Sequence, residues 1–207
     1  MKNIIFSLTI ILTFSNNLYA STDGTGTYFG VAGGYTTYNA AFFANHYVIE
    51  DNTGITLTKS FNEDATGFKV YGGYQFNKIV AVEAAYTEYG EFNAKNYSQD
   101  PNSFSVYANL GYNFLNGQLR PFGMIGLGYL KSFQSYDLLE QDFVTLHGGV
   151  GIEYSPTIFK GFGFRASIDW DINSKFQNGV DDNDNQVDSV LFYQRYSLWS
   201  LAVQYKF

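Results

Sequence analysis

Ser197-Leu-Trp-Ser-Leu-Ala-Val-Gln-Tyr-Lys-Phe207 is the stretch whose reading decides the fold. In an extended strand successive side chains point to opposite faces. Trp199, Leu201, Val203, Tyr205 and Phe207 therefore share one face, and Ser200, Ala202, Gln204 and Lys206 share the other. Bulky apolar groups on one side, small or polar groups on the other and an aromatic at the end fit a wall that separates lipid from water.

Working back from that strand, the same two-residue period recurs in seven more segments of about ten residues. Thr27–Tyr35 places Phe29, Val31 and Tyr35 together. Thr66–Phe76 sets Phe68, Val70, Tyr74 and Phe76 against Lys69, Tyr71, Gly73 and Gln75. Val80–Tyr89 opposes Val82, Ala84 and Tyr86 to Glu83, Ala85 and Thr87. Ser103–Phe114 opposes Phe104, Val106, Leu110, Tyr112 and Phe114 to Ser105, Tyr107, Asn109 and Asn113. In Arg120–Leu130 the pattern is weakest: Ile125, Leu127 and Tyr129 are assigned outward, which turns Phe122 and Met124 inward. Phe143–Tyr154 sets Val144, Leu146, Val150, Ile152 and Tyr154 against Thr145, His147 and Glu153. Phe162–Ile172 sets Phe164, Ala166, Ile168 and Trp170 against Arg165, Ser167, Asp169 and Asp171.

The connections alternate in length. Residues 77–79, 115–119 and 155–161 make short turns, whereas the other connections are long and polar, with about thirty residues expected in the first long loop. Insertion of a barrel from the periplasm gives this division, with both termini on the short-turn side; a soluble sandwich has no reason for it. Parity sharpens the reading. If Phe76 and Val80 both face lipid, the turn between them must hold an odd number of residues, and 77–79 does so. Glu83 then lies opposite Gly73, where a larger residue would compete with the carboxylate for space.

The chain begins with the layout of a secretory signal peptide: Lys2, an apolar run from Ile4 to Phe14, and Ala20 at a cleavage point. The run is about half the roughly 20 residues that a spanning helix needs. Residues 1–20 are expected to be removed, leaving 21–207 as one domain and moving the formal charge from −7 to −8 by loss of Lys2. An acidic chain of this kind argues against nucleic acid as a partner. With no cysteine there is neither a disulfide nor a thiolate nucleophile, despite an oxidising export route. Export, aromatic richness and short alternating segments together point to the outer membrane.

In hydrocarbon an unpaired backbone amide or carbonyl costs several kcal/mol, so a spanning sheet must close on itself. Eight strands enclose an interior that side chains can just fill. The fold expected is therefore all-β, an eight-stranded antiparallel up-and-down transmembrane barrel. Inward Gly and Ala residues (Gly30, Ala32, Gly34, Gly73, Gly126, Gly128, Gly149, Gly151, Ala202) would make room for long polar groups, and surplus Tyr and Phe would girdle the rims.

Three stretches and the chain end carry a resemblance. Gly72-Gly-Tyr-Gln-Phe-Asn-Lys-Ile-Val-Ala-Val-Glu-Ala-Ala-Tyr-Thr-Glu-Tyr-Gly90, Tyr28-Phe-Gly-Val-Ala-Gly-Gly-Tyr35, Arg120-Pro-Phe-Gly-Met-Ile-Gly-Leu-Gly-Tyr129 and Tyr205-Lys-Phe207 resemble strands of the small outer-membrane barrels that include OmpA-type and OmpX-type proteins. The resemblance implies fold and location but not activity, because such barrels serve as adhesins, structural barrels, narrow pores and a few enzymes. It also implies that Glu83, the inward carboxylate of the third strand, joins an interior network of ion pairs. The sequence ends at the eighth strand, so a peptidoglycan-binding domain, and with it a tether to the cell wall, is not expected.

The inward positions collect Lys69, Glu83, Glu153, Arg165, Asp169 and Asp171, with Arg120, His147 and Lys206 beside them. Charges buried there must be paired or wetted. One reading has them plug and stiffen the lumen; another has them exchange partners as a gate for small solutes. No catalytic constellation is expected: His147 is followed by Gly148-Gly149 rather than the His-x-Ser of barrel deacylases, and His46 has no serine-rich neighbourhood. Asp181-Asp-Asn-Asp-Asn-Gln-Val-Asp188 is rich in oxygen ligands, making Asp182, Asp184 and Asp188 weak metal candidates, with Gln186 at an alternating position. The central Gly and closing Glu of a helix-flanked calcium loop are missing. Glu50-Asp51 and Glu63-Asp64 read as further acidic loop positions. No cofactor is expected. Function is expected to be structural or surface-interacting, through extracellular loops; a narrow channel and a lipid A-modifying enzyme are the alternatives. Partners would be lipid and lipopolysaccharide, host or surface ligands at the loops, and the barrel-assembly machinery, which would read Tyr205 and Phe207 as an insertion signal.

Overall fold

The computed structural model describes the backbone of residues 25–48, 53–94, 97–134, 141–180 and 187–207, and the side chains of 25–40, 63–92, 99–132, 142–174 and 193–207. The strands are β1 (Gly26–Val48), β2 (Thr53–Gln75), β3 (Val80–Glu88), β4 (Phe92–Ala94), β5 (Tyr97–Gly111), β6 (Leu119–Gln134), β7 (Gln141–Tyr154), β8 (Phe162–Val180) and β9 (Val187–Lys206). Each pairs antiparallel with its neighbour, and β1 pairs with β9 from Tyr28↔Lys206 to His46↔Asp188, which closes the ring. β3 and the short β4 both pair with β5 and form one stave, interrupted at Tyr89–Glu91, where Gly90 sits at φ +80. The nine segments thus make eight staves.

Closure satisfies the backbone where no water can, and the side chains then sort by alternation. Phe29, Val31, Phe104, Val106, Val144, Leu146, Leu201 and Val203 are exposed on the outside; Lys69, Tyr71, Glu83, Tyr107, Arg165 and Asp169 are buried within. Aromatic pairs stack edge-to-face at the short-turn rim: Tyr74 with Phe76, Tyr112 with Phe114 and Phe162 with Tyr205, each at 5.0 Å. Rings at this level match the amphipathic girdle of a membrane barrel.

The least legible strand takes the expected register. In β6, Ile125 and Leu127 are exposed, while Phe122 and Met124 are buried. Room for the two bulky inward groups comes from β7, where Gly151 lies beside Phe122 and Gly149 beside Met124. A methyl group on either glycine would stand 2.5 Å from Phe122 Cζ or Met124 Cε. Glu83 does lie opposite Gly73, and a Cβ there would meet Val82 O at 2.5 Å and Glu83 Cγ at 2.9 Å.

The long connections differ from expectation. In place of a first loop of about thirty residues, β1 and β2 keep pairing to Val48↔Thr53; β8 and β9 do the same to Val180↔Val187. Glu63, Asp64 and His46 therefore lie on strands, not in a loop. Backbone hydrogen bonding does not stop at the lipid boundary, and an uninterrupted ladder satisfies these amides without help from side chains.

Candidate functional site: lumen and projecting sheet

The lumen is built in layers, starting from the short-turn end. Lys206 Nζ donates to Gln75 Oε1 at 2.6 Å, and Arg120 Nη1 lies 3.9 Å from Glu153. Arg165 on β8 comes next and crosses to Glu83 on β3, the strand diametrically opposite. Its two Nη groups donate to the two carboxylate oxygens at 2.9 Å each. This bidentate geometry is the strong form of a carboxylate–guanidinium pair. Tyr28 and Asn109 also donate to Glu83, at 2.5 and 2.6 Å. Glu153 is 3.6 Å from Arg165, and the guanidinium lies over the rings of Tyr71 at 4.4 Å and Phe122 at 4.7 Å. The charged ends that lose water here gain partners in return, while Arg165 Nε and Asn109 Oδ1 are buried without a hydrogen bond among the described residues.

One layer further, Lys69 Nζ donates to Asp169 at 2.6 Å, and Ser167 donates to the same carboxylate at 3.1 Å. Asp171 follows. It accepts from Tyr89 at 2.7 Å and Thr145 at 3.0 Å and sits 3.0 Å from His147 Nδ1, whose ring stacks on Tyr107 at 4.5 Å. The outer end is apolar: Tyr89, Phe92, Leu130, Phe143, Tyr196 and Leu198 pack together, with Tyr38 and Ala65 against them. Gln99 on β5 donates to Tyr196 of this cap, on the opposite strand β9, and to Ser132 on β6.

All six charged residues singled out from sequence (Lys69, Glu83, Glu153, Arg165, Asp169 and Asp171) thus lie buried in one continuous stack. Arg120 and His147 adjoin it, and Lys206 sits at its foot. Sequence reasoning missed the neutral partners Tyr28, Asn109 and Tyr89, and the apolar cap. Their one signal was inward parity, which says where a side chain points but not what it will meet. Tyr205 and Phe207 stack on each other at the short-turn rim. Asp188 lies on β9, paired in register with His46 and Gly179. Residues 1–20, Glu50, Asp51, Asp182, Asp184 and Gln186 lie outside the described residues, as does the side chain of Asp188. Among the described residues no group of three or more potential metal ligands comes together.

Above the barrel, β2, β1, β9 and β8 continue as a four-stranded sheet. Pairing with β3 begins only at Phe68↔Glu88, and pairing with β7 ends at Leu146↔Ile172. From Tyr35 at the outer girdle to Val48 is 13 residues, about 43 Å along the strand.

The sequence profile of the family described as outer membrane protein beta-barrel domain matches residues 6–207. Among solved structures, Neisserial surface protein A is similar with a TM-score of 0.54 at 16% identity, over 85% of this chain and 99% of that one. OprG, an outer membrane protein from Pseudomonas aeruginosa, is similar with a TM-score of 0.55 at 13% identity, over 90% and 99% of the two chains. At these identities the likeness is one of fold. No curated protein matches the sequence.

Proposed function

The chain belongs to the outer membrane β-barrel domain family, which places it among outer-membrane proteins, and from that membership we propose that it is a plugged, non-enzymatic barrel displaying a binding surface outside the cell. The observation that carries this reading is the projecting sheet: four of the eight staves run well past the girdle and stay paired to each other. Its outer strands, β2 and β8, end their ladder pairing with β3 and β7 at Phe68 and Ile172. β2 is still flanked by Gly90 and β4 just past that point, so the edge of β8 is the one on which an extended segment of a partner could add as a further strand. Filled layers beneath the sheet favour display over transport, since bonds between opposite strands hold the lumen shut. His147 is buried between Tyr107 and Asp171, a position that suits a network member better than a base awaiting substrate. The end of β9 with Tyr205 and Phe207 is the segment assigned to recognition by the assembly machinery, and the outer surface would contact lipopolysaccharide.

Shortening the sheet tests the reading. Ala40↔Phe61 and Asn173↔Gln194 are register pairs, so replacing 41–60 and 174–193 with Asn-Gly turns keeps the barrel register. Cells displaying the shortened barrel should lose binding to a panel of matrix and serum proteins that cells with the full chain retain. Equal binding by both would refute a role for the sheet.

A further inference from the structure

The short-turn rim carries a feature that surface display does not use. In the β7–β8 turn, Ile158 and Phe159 are 85% and 57% exposed although nothing in a turn requires apolar residues. Lys160 follows them, exposed and without an ion-pair partner among the described residues. The turn is held in place: Gly161, at φ +81, presents its carbonyl to Lys206 N at 2.7 Å. Directly above it the outer wall is indented. Ala166 is the small member of the register row Ile152–Ala166–Leu201, and with Tyr154, Phe164 and Val203 these residues flank an apolar groove of about 330 Å³. Ala166 lies four residues above Phe162, the first residue after the turn, or about 13 Å along the strand. A groove whose lower end, at Tyr154, adjoins a lysine-bearing turn and which climbs the lipid-facing wall has the proportions of an acyl chain under a headgroup.

Charge selects the headgroup. Residues 76–79, 112–118 and 155–161 contain Lys78 and Lys160 and no acid. At the opposite rim Asp64, Glu88 and Asp142 stand beside the girdle tyrosines; Tyr129 donates to Asp142 and Tyr86 to Glu88. The amine of a zwitterionic lipid would find no carboxylate in the β7–β8 turn, whereas an anionic phosphate finds an unpaired ammonium. We propose that the β7–β8–β9 wall binds an anionic glycerophospholipid of the periplasmic leaflet, its acyl chain over Ala166 and its phosphate on Lys160. The leaflet follows from the short turns facing the periplasm.

Native mass spectrometry on the folded protein, taken from micelles doped with phosphatidylglycerol or phosphatidylcholine of identical chains, tests this. Wild type should retain the anionic lipid about fivefold more strongly, the effect of one lysine at an anionic surface. Lys160→Gln should bring the two lipids level, while Lys78→Gln should leave the preference in place. Ala166→Phe, and the milder Ala166→Leu, should displace both lipids; each points to solvent or lipid, and a retained heat-dependent gel shift would show that it folds. Three results would overturn the site: equal retention of the two lipids by wild type, unchanged retention after filling the groove, or an equal effect of Lys78→Gln, which would mean diffuse charge.

Discussion

Removing the Glu83 carboxylate is the sharpest perturbation of the lumen. Glu83→Ala leaves Arg165 buried, with its fork unpaired and Glu153 at 3.6 Å as the remaining charge, and strips Tyr28 and Asn109 of their acceptor. Breaking one side of a buried ion pair costs about 3–5 kcal/mol, most of it from stranding the other charge. The stranded phenol and amide would each add about 1–3 kcal/mol if nothing relaxed, but neighbouring sites are not additive, and Tyr28 can turn toward the vacated space. The expected loss is therefore about 4 kcal/mol, read as a shift in the urea midpoint of the barrel folded in detergent micelles. Glu83→Ala combined with Arg165→Met removes both charges while Tyr71 and Phe122 stay to pack the new side chain. Replacing a whole buried pair by apolar groups of similar volume is close to neutral or better; here Tyr28 and Asn109 still lack their acceptor, so the gain is the charge that Arg165 no longer strands. The double variant should therefore recover most of what the single one loses. A single variant that loses under about 1 kcal/mol, or a double variant no more stable than the single, would refute the claim that the pair holds the lumen together.

Further consequences can be measured on the same preparation. Gly73→Val should cost about 1–3 kcal/mol in urea, because its Cβ would stand 2.5 Å from the carbonyl of Val82; unchanged stability would mean that β2 and β3 are not in this register. Ile125→Arg, on the lipid face of β6, should cost about 2–4 kcal/mol in bilayers, and a negligible cost would place that residue away from acyl chains. In planar bilayers the wild-type barrel should show no sustained conductance, whereas Glu83→Ala should give flickering openings; steady wild-type openings would favour a channel instead. Tyr205→Ser with Phe207→Ser should lower the amount assembled in cells but leave refolding into detergent unchanged, and an equal drop in both would assign these rings to stability alone.

Facing was legible in the sequence wherever lipid imposes it. Every outward residue of the belt could be read because hydrocarbon on one side and a packed lumen on the other enforce alternation, and this rescued even β6, where inward Phe122 and Met124 blur the pattern. The pattern fails past the girdle. The backbones of β1 and β2 stay paired as far as Val48↔Thr53, yet in the sequence of that stretch the apolar Ile55, Leu57 and Phe61 fall on the odd positions and Thr56, Thr58 and Ser60 on the even ones, the reverse of Lys69 and Phe68 in the belt. With lipid gone, the polarity rule used to find strands no longer holds, so the extensions read as loop. In the lumen, charged residues announced themselves because a buried charge demands a partner. Tyr28 and Asn109 did not, since neutral donors are common on any face, and only the closed ring brings them to Glu83.

The first and last strands complete each other: Phe207 N donates to Thr27 O at 2.9 Å, and β1 and β9 share the long seam that shuts the circle. Until β9 has been synthesised and seated, β1 keeps a raw edge that hydrocarbon cannot tolerate. A chain broken off before the seam would therefore leave that edge without the partner that closes the cylinder.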